Sequence, residues 1–472
     1  MKDRYESPLA SRYASDYMLR LFSPDTRYET WRRLWVALAR AESKLGLPIT
    51  EQQVQQLEKH VTGIDYAVVA QREKEVRHDV MAHIYAYGLD CPDAKGIIHL
   101  GATSCYVTDN TDLILYRDGL RYLRGELAVV IRNLAGFARE YAAVPTLGYT
   151  HYQPAQLVTV GKRASLWLQD LMCDLEELEQ VIDAVRFLGC RGTTGTEASF
   201  MELFEGDEAK IDEMNRMIAA EMGFSQRFDV CGQTYPRKLD SRILNVLSSI
   251  AQSCYRFAND MRLLQHDRQL EEPREAKQIG SSAMPYKRNP MRCERICSLS
   301  RYLMADALNA PMTASTQWLE RTLDDSANRR ISLPEGFLCC DAVLRLMQNV
   351  TAGIHVNEKV VDRFVRDYLP FIASENLLME AVKRGADRQE VHELIRQHSN
   401  AATAKMQEGL PCDMLERLAG DPAFGISLEE LRGMMKPEDY TGRSAQQARA
   451  YAEKCLERVS GIQGQEAQTV IL

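Results

Sequence analysis

Residues 280–290 read GSSAMPYKRNP and set two hydroxyls, Ser281 and Ser282, close to the cations Lys287 and Arg288 and the amide of Asn289. Gly280, Pro285 and Pro290 rule out a continuous helix or a central strand, so the stretch reads as a loop of about ten residues between helices. Arg292 and Arg295 follow, which crowds four cations onto one loop and the next helix turn of a chain with formal charge -8. An ordinary interhelical connection does not explain that crowding, whereas an anionic ligand does. Loops on rigid scaffolds often carry function, and Gly-Ser-Ser suggests a part that moves.

Four other polar patches interrupt regular sequence. In Thr150-His151-Tyr152-Gln153-Pro154-Ala155-Gln156 a histidine lies among turn residues. An imidazole titrating near neutrality can protonate a leaving nitrogen, though a purely structural histidine is equally open at this point. Arg77, His78 and Asp79 lie in a helix-like run with His83 five residues beyond His78, a spacing that puts the two rings on different faces and argues against a shared metal. The plain alternative is an exposed helix with a local charge pair. Gly101-Ala102-Thr103-Ser104 supplies small hydroxyls just before a long helix, where free backbone N–H groups could hold a carboxylate. Simple capping by Thr108 or Asp109 competes with that reading. Arg321, Ser326, Arg329 and Arg330 form a cationic cluster suited to phosphate or carboxylate, or else a solvated helix face.

Long helices are needed to position these patches. Leu113, Tyr116, Leu120, Leu123, Leu127, Val130, Leu134, Phe137 and Tyr141 alternate spacings of three and four without a miss. Ile243, Leu247, Ile250, Cys254, Phe257, Met261 and Leu264 repeat the pattern, and Leu171, Leu175, Leu178, Ile182 and Val185 give a third seam. Helices starting at Pro290 and Pro334 complete an expected bundle, in an all-α chain divided at 1–103, 104–356 and 357–472. Strand signals are sparse, and the polar tail GIQGQEAQTVIL is expected to fray. Bundles this elongated usually bury seams against other subunits, so a homo-oligomer is expected. The acidic balance argues against nucleic acid, and no apolar stretch approaches the ~20 residues of a membrane span. MKDRYESPLA has no apolar signal segment, and the twelve cysteines lack CxxC pairs, so cytoplasmic, reduced and mostly buried cysteines are expected. Neither a dinucleotide fingerprint nor a Walker A, HExxH or GxSxG motif is present.

GSSAMPYKRNP matches the GSSxMPxKxNP signature of the fumarase/aspartase superfamily, and the Thr-Ser and histidine segments follow in that superfamily's order. Tyr286 and Arg288 inside the signature, the Arg77-His78-Asp79 patch, Thr150 to Gln156 and the late Pro437-Glu438-Asp439-Tyr440-Thr441-Gly442 resemble the eukaryotic adenylosuccinate lyase family. The resemblance covers the whole chain, and no motif position departs from it. It implies three helical domains whose central bundle builds a homotetramer, and a carbon–nitrogen lyase of purine biosynthesis needing no metal or organic cofactor. The implied substrates are adenylosuccinate, giving AMP and fumarate, and SAICAR, giving AICAR and fumarate. It also implies Ser281 as general base, His151 as general acid, Lys287 in support, and His78 as either a support for His151 or a contact to the phosphate. Arg12 and Tyr13 would bind the phosphate end. Arg77, Asp79, Thr103, Ser104, Gln233, Ser282, Asn289, Arg295, Arg321, Ser326 and Arg330 would make the remaining substrate contacts, in a site drawn from three subunits. Argininosuccinate lyase, an amino-acid lyase and a non-catalytic lens-type protein of the same superfamily are the competing resemblances.

Overall fold

The computed structural model describes residues 3–275, 278–279 and 282–465. Near the start, Ser23 accepts the Thr26 N–H and caps α1 (Pro24–Lys44), with Pro24 where no amide hydrogen is needed. α2 (Tyr66–Val76) and α3 (Asp79–Asp90) follow, and the helix-like run expected through Arg77-His78-Asp79 is broken between them. Arg77 is left-handed, with φ 56, and closes α2, while His78 is extended and caps α3. A left-handed residue turns the chain off the helical ladder, which a reading of side-chain periodicity does not register.

α4 (Ser104–Glu140) runs 37 residues, about 55 Å at the usual rise. Every seam residue from Leu113 to Phe137 is buried, and Tyr141, just past the helix end, is partly so. A hairpin then forms from β1 (Pro145–Thr150) and β2 (Gln153–Thr159). The sequence reading placed turn residues around His151 but not these strands, whose short runs become legible only where Leu147 and Leu157 pack on Val365 and Leu369. Thr159 accepts the Lys162 N–H and starts α5 (Val160–Ala184). A Cβ at Gly161 would lie 2.2 Å from the Ala138 carbonyl oxygen, so α4 and α5 meet backbone to backbone there.

α6 (Lys238–His266), α7 (Met291–Asp306) and α8 (Asp325–Thr351) complete the bundle. α4 packs on α5 and α8, and α6 on α5, α7 and α8. α7 starts after Pro290, as its sequence suggests, but α8 begins at Asp325 and carries Pro334 inside it. Buried Arg329, Leu333 and Phe337 hold the helix on both sides of the proline, so packing overrides the local break.

α9 (Glu358–Ile372) leads to a C-terminal lobe with its own core of Leu377, Met414, Leu418, Phe424 and Leu431. α10 (Ser444–Val459) returns to α4 and α5, placing Ala452, Cys455 and Val459 in the bundle core. The tail expected to fray is instead held as far as it is described. The Gln465 N–H donates to Glu126 Oε1 at 3.1 Å, and Arg132 Nη1 donates to the Ile462 carbonyl at 2.8 Å. Gly125 and Gly464 permit that approach, because a Cβ on Gly464 would lie 2.1 Å from the Gly125 oxygen. Residues 466–472 lie outside the described residues. Among the described residues, no helix is long and apolar enough to cross a membrane.

One buried group in α1 yields a pH prediction. Glu42 is fully buried with neither carboxylate oxygen hydrogen-bonded, and burial pushes its carboxyl up to about 9. The folded state therefore keeps a proton that the unfolded chain releases in the ordinary carboxylate range. Stability falls as pH rises between those two values. Glu42→Gln is neutral throughout, so thermal denaturation in a pH series is expected to show a flatter profile and higher stability at alkaline pH than the native chain.

Candidate active site

The starts of α3, α4 and α8 converge to form the first patch. His78 Nδ1 faces the Met81 N–H at 3.4 Å as the cap of α3, and Nε2 lies 3.4 Å from Ser104 Oγ. With Nδ1 accepting from the Met81 N–H, Nε2 is the nitrogen left to donate to the serine. Asp79 Oδ2 pairs with Arg330 Nη2 at 3.2 Å, which joins the Arg77-His78-Asp79 patch to the later cationic cluster. Arg77 is exposed beside them.

Thr103, not Thr108 or Asp109, caps α4, and its side chain makes no capping bond. The first-turn N–H groups beside half-buried Ser104 therefore offer partial positive charge to an anion. Gln233 closes the patch from the side. Its Oε1 accepts from Cys105 Sγ at 3.3 Å, its Nε2 donates to the Thr193 carbonyl at 2.9 Å, and its backbone N–H donates to the Glu320 carbonyl. Arg321 follows Glu320 with Nη1 on both oxygens of Asp325, and Ser326 sits in the first turn of α8.

Arg329 does not belong to this surface, contrary to the cluster read from sequence. It is buried, with Nε 2.5 Å from Asp240 and Nη2 3.1 Å from Asp112. At helical spacing, Arg329 and Arg330 point about 100° apart, so neighbouring arginines take opposite roles.

A second patch is smaller. Leu9–Tyr13 forms one π-helical turn with Arg12 exposed on it, and the Arg295 guanidinium lies 5.6 Å from the centre of the Tyr13 ring. Arg345 holds the Tyr13 carbonyl at 2.8 Å. Arg295 Nη1 is buried without a hydrogen-bond partner, a donor that suits an oxyanion such as phosphate.

The third patch lies at the far end of α6. Met284 to Lys287 form a turn closed by the Lys287 N–H on the Met284 carbonyl, with Pro285 in the position its fixed φ favours. Ser282, Lys287 and Arg288 are exposed, and Asn289 is half-buried. Arg288 Nη1 pairs with Glu271 at 3.0 Å, and its carbonyl accepts from Gln265. Lys287, Arg262, His266 and Arg268 line a cleft of about 1030 Å³. Gly280 and Ser281 lie outside the described residues.

His151 is at the same end, in the two-residue turn joining β1 to β2. His151 and Tyr152 have φ 53 and 58, both left-handed without being glycine. Each such residue costs about 1 kcal/mol or more, a strain often found at functional positions. Tyr152 packs 5.9 Å from Tyr149, whose hydroxyl accepts from Gln269, and His151 is exposed.

One chain thus brings together His78, Asp79, Ser104, Gln233, Arg321 and Arg330, but not Lys287, Asn289 or His151. The first patch is tied to the start of α6 through Arg237, which bonds Asp325, and the signature loop is tied to Gln265 near its end. Those points lie about 40 Å apart along a straight helix. The sequence reading offered Asp109 only as a helix cap and gave no role to Cys105, Arg237 or Asp325, which with it hold the first patch, because their partners are distant in sequence and no spacing motif marks them.

The family described as lyase matches residues 12–304, and that described as adenylosuccinate lyase C-terminus matches residues 370–451. Adenylosuccinate lyase of Schizosaccharomyces pombe is 49% identical over 454 residues, covering 95% of this chain and 94% of that one. The Saccharomyces cerevisiae adenylosuccinate lyase is 48% identical over 457 residues, covering 96% and 95%. In solved structures, the fold is similar to 3-carboxy-cis,cis-muconate lactonizing enzyme from Pseudomonas putida, with TM-score 0.82 at 21% identity over 96% of this chain and 99% of that one. Fumarate lyase from Mesorhizobium sp. BNC1 gives TM-score 0.79 at 21% identity, covering 97% and 100%.

The capping geometry separates two roles of His78. His78→Ala is expected to lose about 1 kcal/mol of stability through the lost cap, while His78→Asn keeps an acceptor and loses little. Thermal denaturation of both variants checks this.

Proposed function

The chain belongs to the adenylosuccinate lyase family, and from that premise we propose that it splits adenylosuccinate into AMP and fumarate, and SAICAR into AICAR and fumarate, at sites shared among three subunits of a homotetramer. Its substrates carry a phosphate and two succinyl carboxylates. Arg12, Tyr13 and Arg295 suit the phosphate, and the α4 start with Thr103 and Ser104, Gln233, Arg321, Ser326 and Arg330 suit the rest. Arg77 and Asp79 border that surface, and Ser282 and Asn289 come from the signature loop.

In the proposed reaction, Ser281 Oγ, as an alkoxide, takes a proton from the succinyl carbon next to a carboxylate. The electron pair is held on that carboxylate, then returns to form the fumarate double bond as the C–N bond breaks. His151 gives a proton to the departing nitrogen. A serine hydroxyl is a very weak base, so nearby positive charge must favour its ionised form, a role for Lys287. Fixed donors for the dianion, Lys287 and Asn289 among them, typically contribute ~3 to 4 kcal/mol each in the transition state. Ser281 itself rests on the sequence motif, as it lies outside the described residues. His78, through Ser104, supports the opposite end of the substrate.

The observation that carries the shared site is the ~40 Å along α6 between the first patch and the signature loop, because no mononucleotide spans that distance. Residues 104–356, which hold the bundle, are the proposed association segment, flanked by 1–103 and 357–472.

A continuous assay of fumarate release from adenylosuccinate, with and without a chelator, tests the reading. Chelator-insensitive turnover that falls at least about 1,000-fold in Ser281→Ala is expected. Turnover of argininosuccinate instead, or a fully active Ser281→Ala, overturns it. His78→Asn is expected to fold as the native chain does yet lose turnover.

A further inference from the structure

Asp325 is fully buried and carries no role in the reading above, yet it touches a proposed substrate arginine. Both its oxygens accept from Arg321 Nη1, at 3.0 and 3.2 Å. From the other side Arg237 Nε donates to Oδ2 at 2.6 Å. Arg237 is itself buried, and its Nη1 and Nη2 fork onto Asp109 at 2.8 and 3.2 Å. Held on two edges by carboxylates, Arg237 cannot turn without breaking one of them.

Three substrate-facing segments are indexed to this array. Asp109 lies in α4 shortly after Ser104, and its Oδ2 also accepts the Tyr235 N–H, just past Gln233. Asp325 precedes Ser326 and opens α8. The four groups balance, two carboxylates against two guanidiniums. Burying Asp109, Arg237 and Asp325 carries a large desolvation penalty that an apolar core would not incur, so stability alone is a poor reason for the array.

Arg321 is the exposed end, its side chain 24% accessible against 0% for Asp325. It sits on an irregular connection beside Trp318 and Leu319, both largely exposed, where no helix fixes its direction. Its contacts to Asp325 use Nη1 alone, which leaves Nε and Nη2 for a ligand carboxylate.

We propose that Asp325, anchored through Arg237 to Asp109, is a positioning residue that aims the Arg321 guanidinium at the substrate. This rests on the reading that Arg321 contacts substrate, and the test separates the two. KM and kcat for adenylosuccinate are measured in the assembled full-length enzyme, and the dissociation constant in a Ser281→Ala background. Asp325→Asn is expected to raise KM and the dissociation constant at least about 10-fold while Arg321 is present, and to change them less than about 2-fold when Arg321→Ala is also present. Asp325→Glu keeps the charge on Arg237 but moves the carboxylate by one methylene, so it carries the same test if Asp325→Asn fails to assemble. Native affinity in Asp325→Glu, a change confined to Tm and kcat, or an undiminished effect in the Arg321→Ala background overturns the proposal. Native affinity in Arg321→Ala alone overturns the substrate reading instead, and with it the proposal.

Discussion

A 29-residue helix keeps its two ends apart, and that constraint governs the rest of this molecule. α6 is buried along its seam between α5, α7 and α8, so it cannot bend to bring its termini together. Arg237 at its start holds Asp325 beneath the first patch, whereas Gln265 at its end holds the signature loop. Groups proposed to act on one small substrate therefore occupy opposite ends of one rigid body. The proposed association of chains would reunite them, and on that proposal oligomerisation serves chemistry as well as stability.

Each end solves the positioning problem differently. At the first patch, buried charge does it: Asp109, Arg237, Asp325, Arg329 and Asp240 lock three chain segments in a low-dielectric setting where a misplaced partner is costly. At the other end the backbone does it. His151 is presented by a tight turn of two left-handed residues, and Lys287 by a proline turn at the mouth of a cleft. The first arrangement favours fixed recognition of charge. The second places the groups proposed for proton transfer on exposed turns.

Periodicity made the bundle legible, since every seam residue from Leu113 to Phe137 is indeed buried. The lyase family was legible as well, because the signature loop is a contiguous motif. What escaped was non-local or backbone-specific. Pro334 reads as a helix start but is carried through by packing, and Arg77 reads as helical but is left-handed. Arg329 reads as a partner of Arg330 yet turns inward to Asp240 and Asp112. The tail reads as frayed because its composition is polar, while two facing glycines and Glu126 hold residues 461–465 on α4. Each error comes from a contact or a dihedral angle that side-chain pattern does not encode.

The shared site is tested most directly by mixing two inactive enzymes, Ser281→Ala at the signature loop and Arg321→Ala at the first patch, under conditions that exchange subunits. If each site draws these residues from different chains, equal mixing leaves about a quarter of the sites with both intact, and a comparable fraction of native activity returns. If a single chain supplies both residues to one site, every site carries one defect and mixing restores nothing.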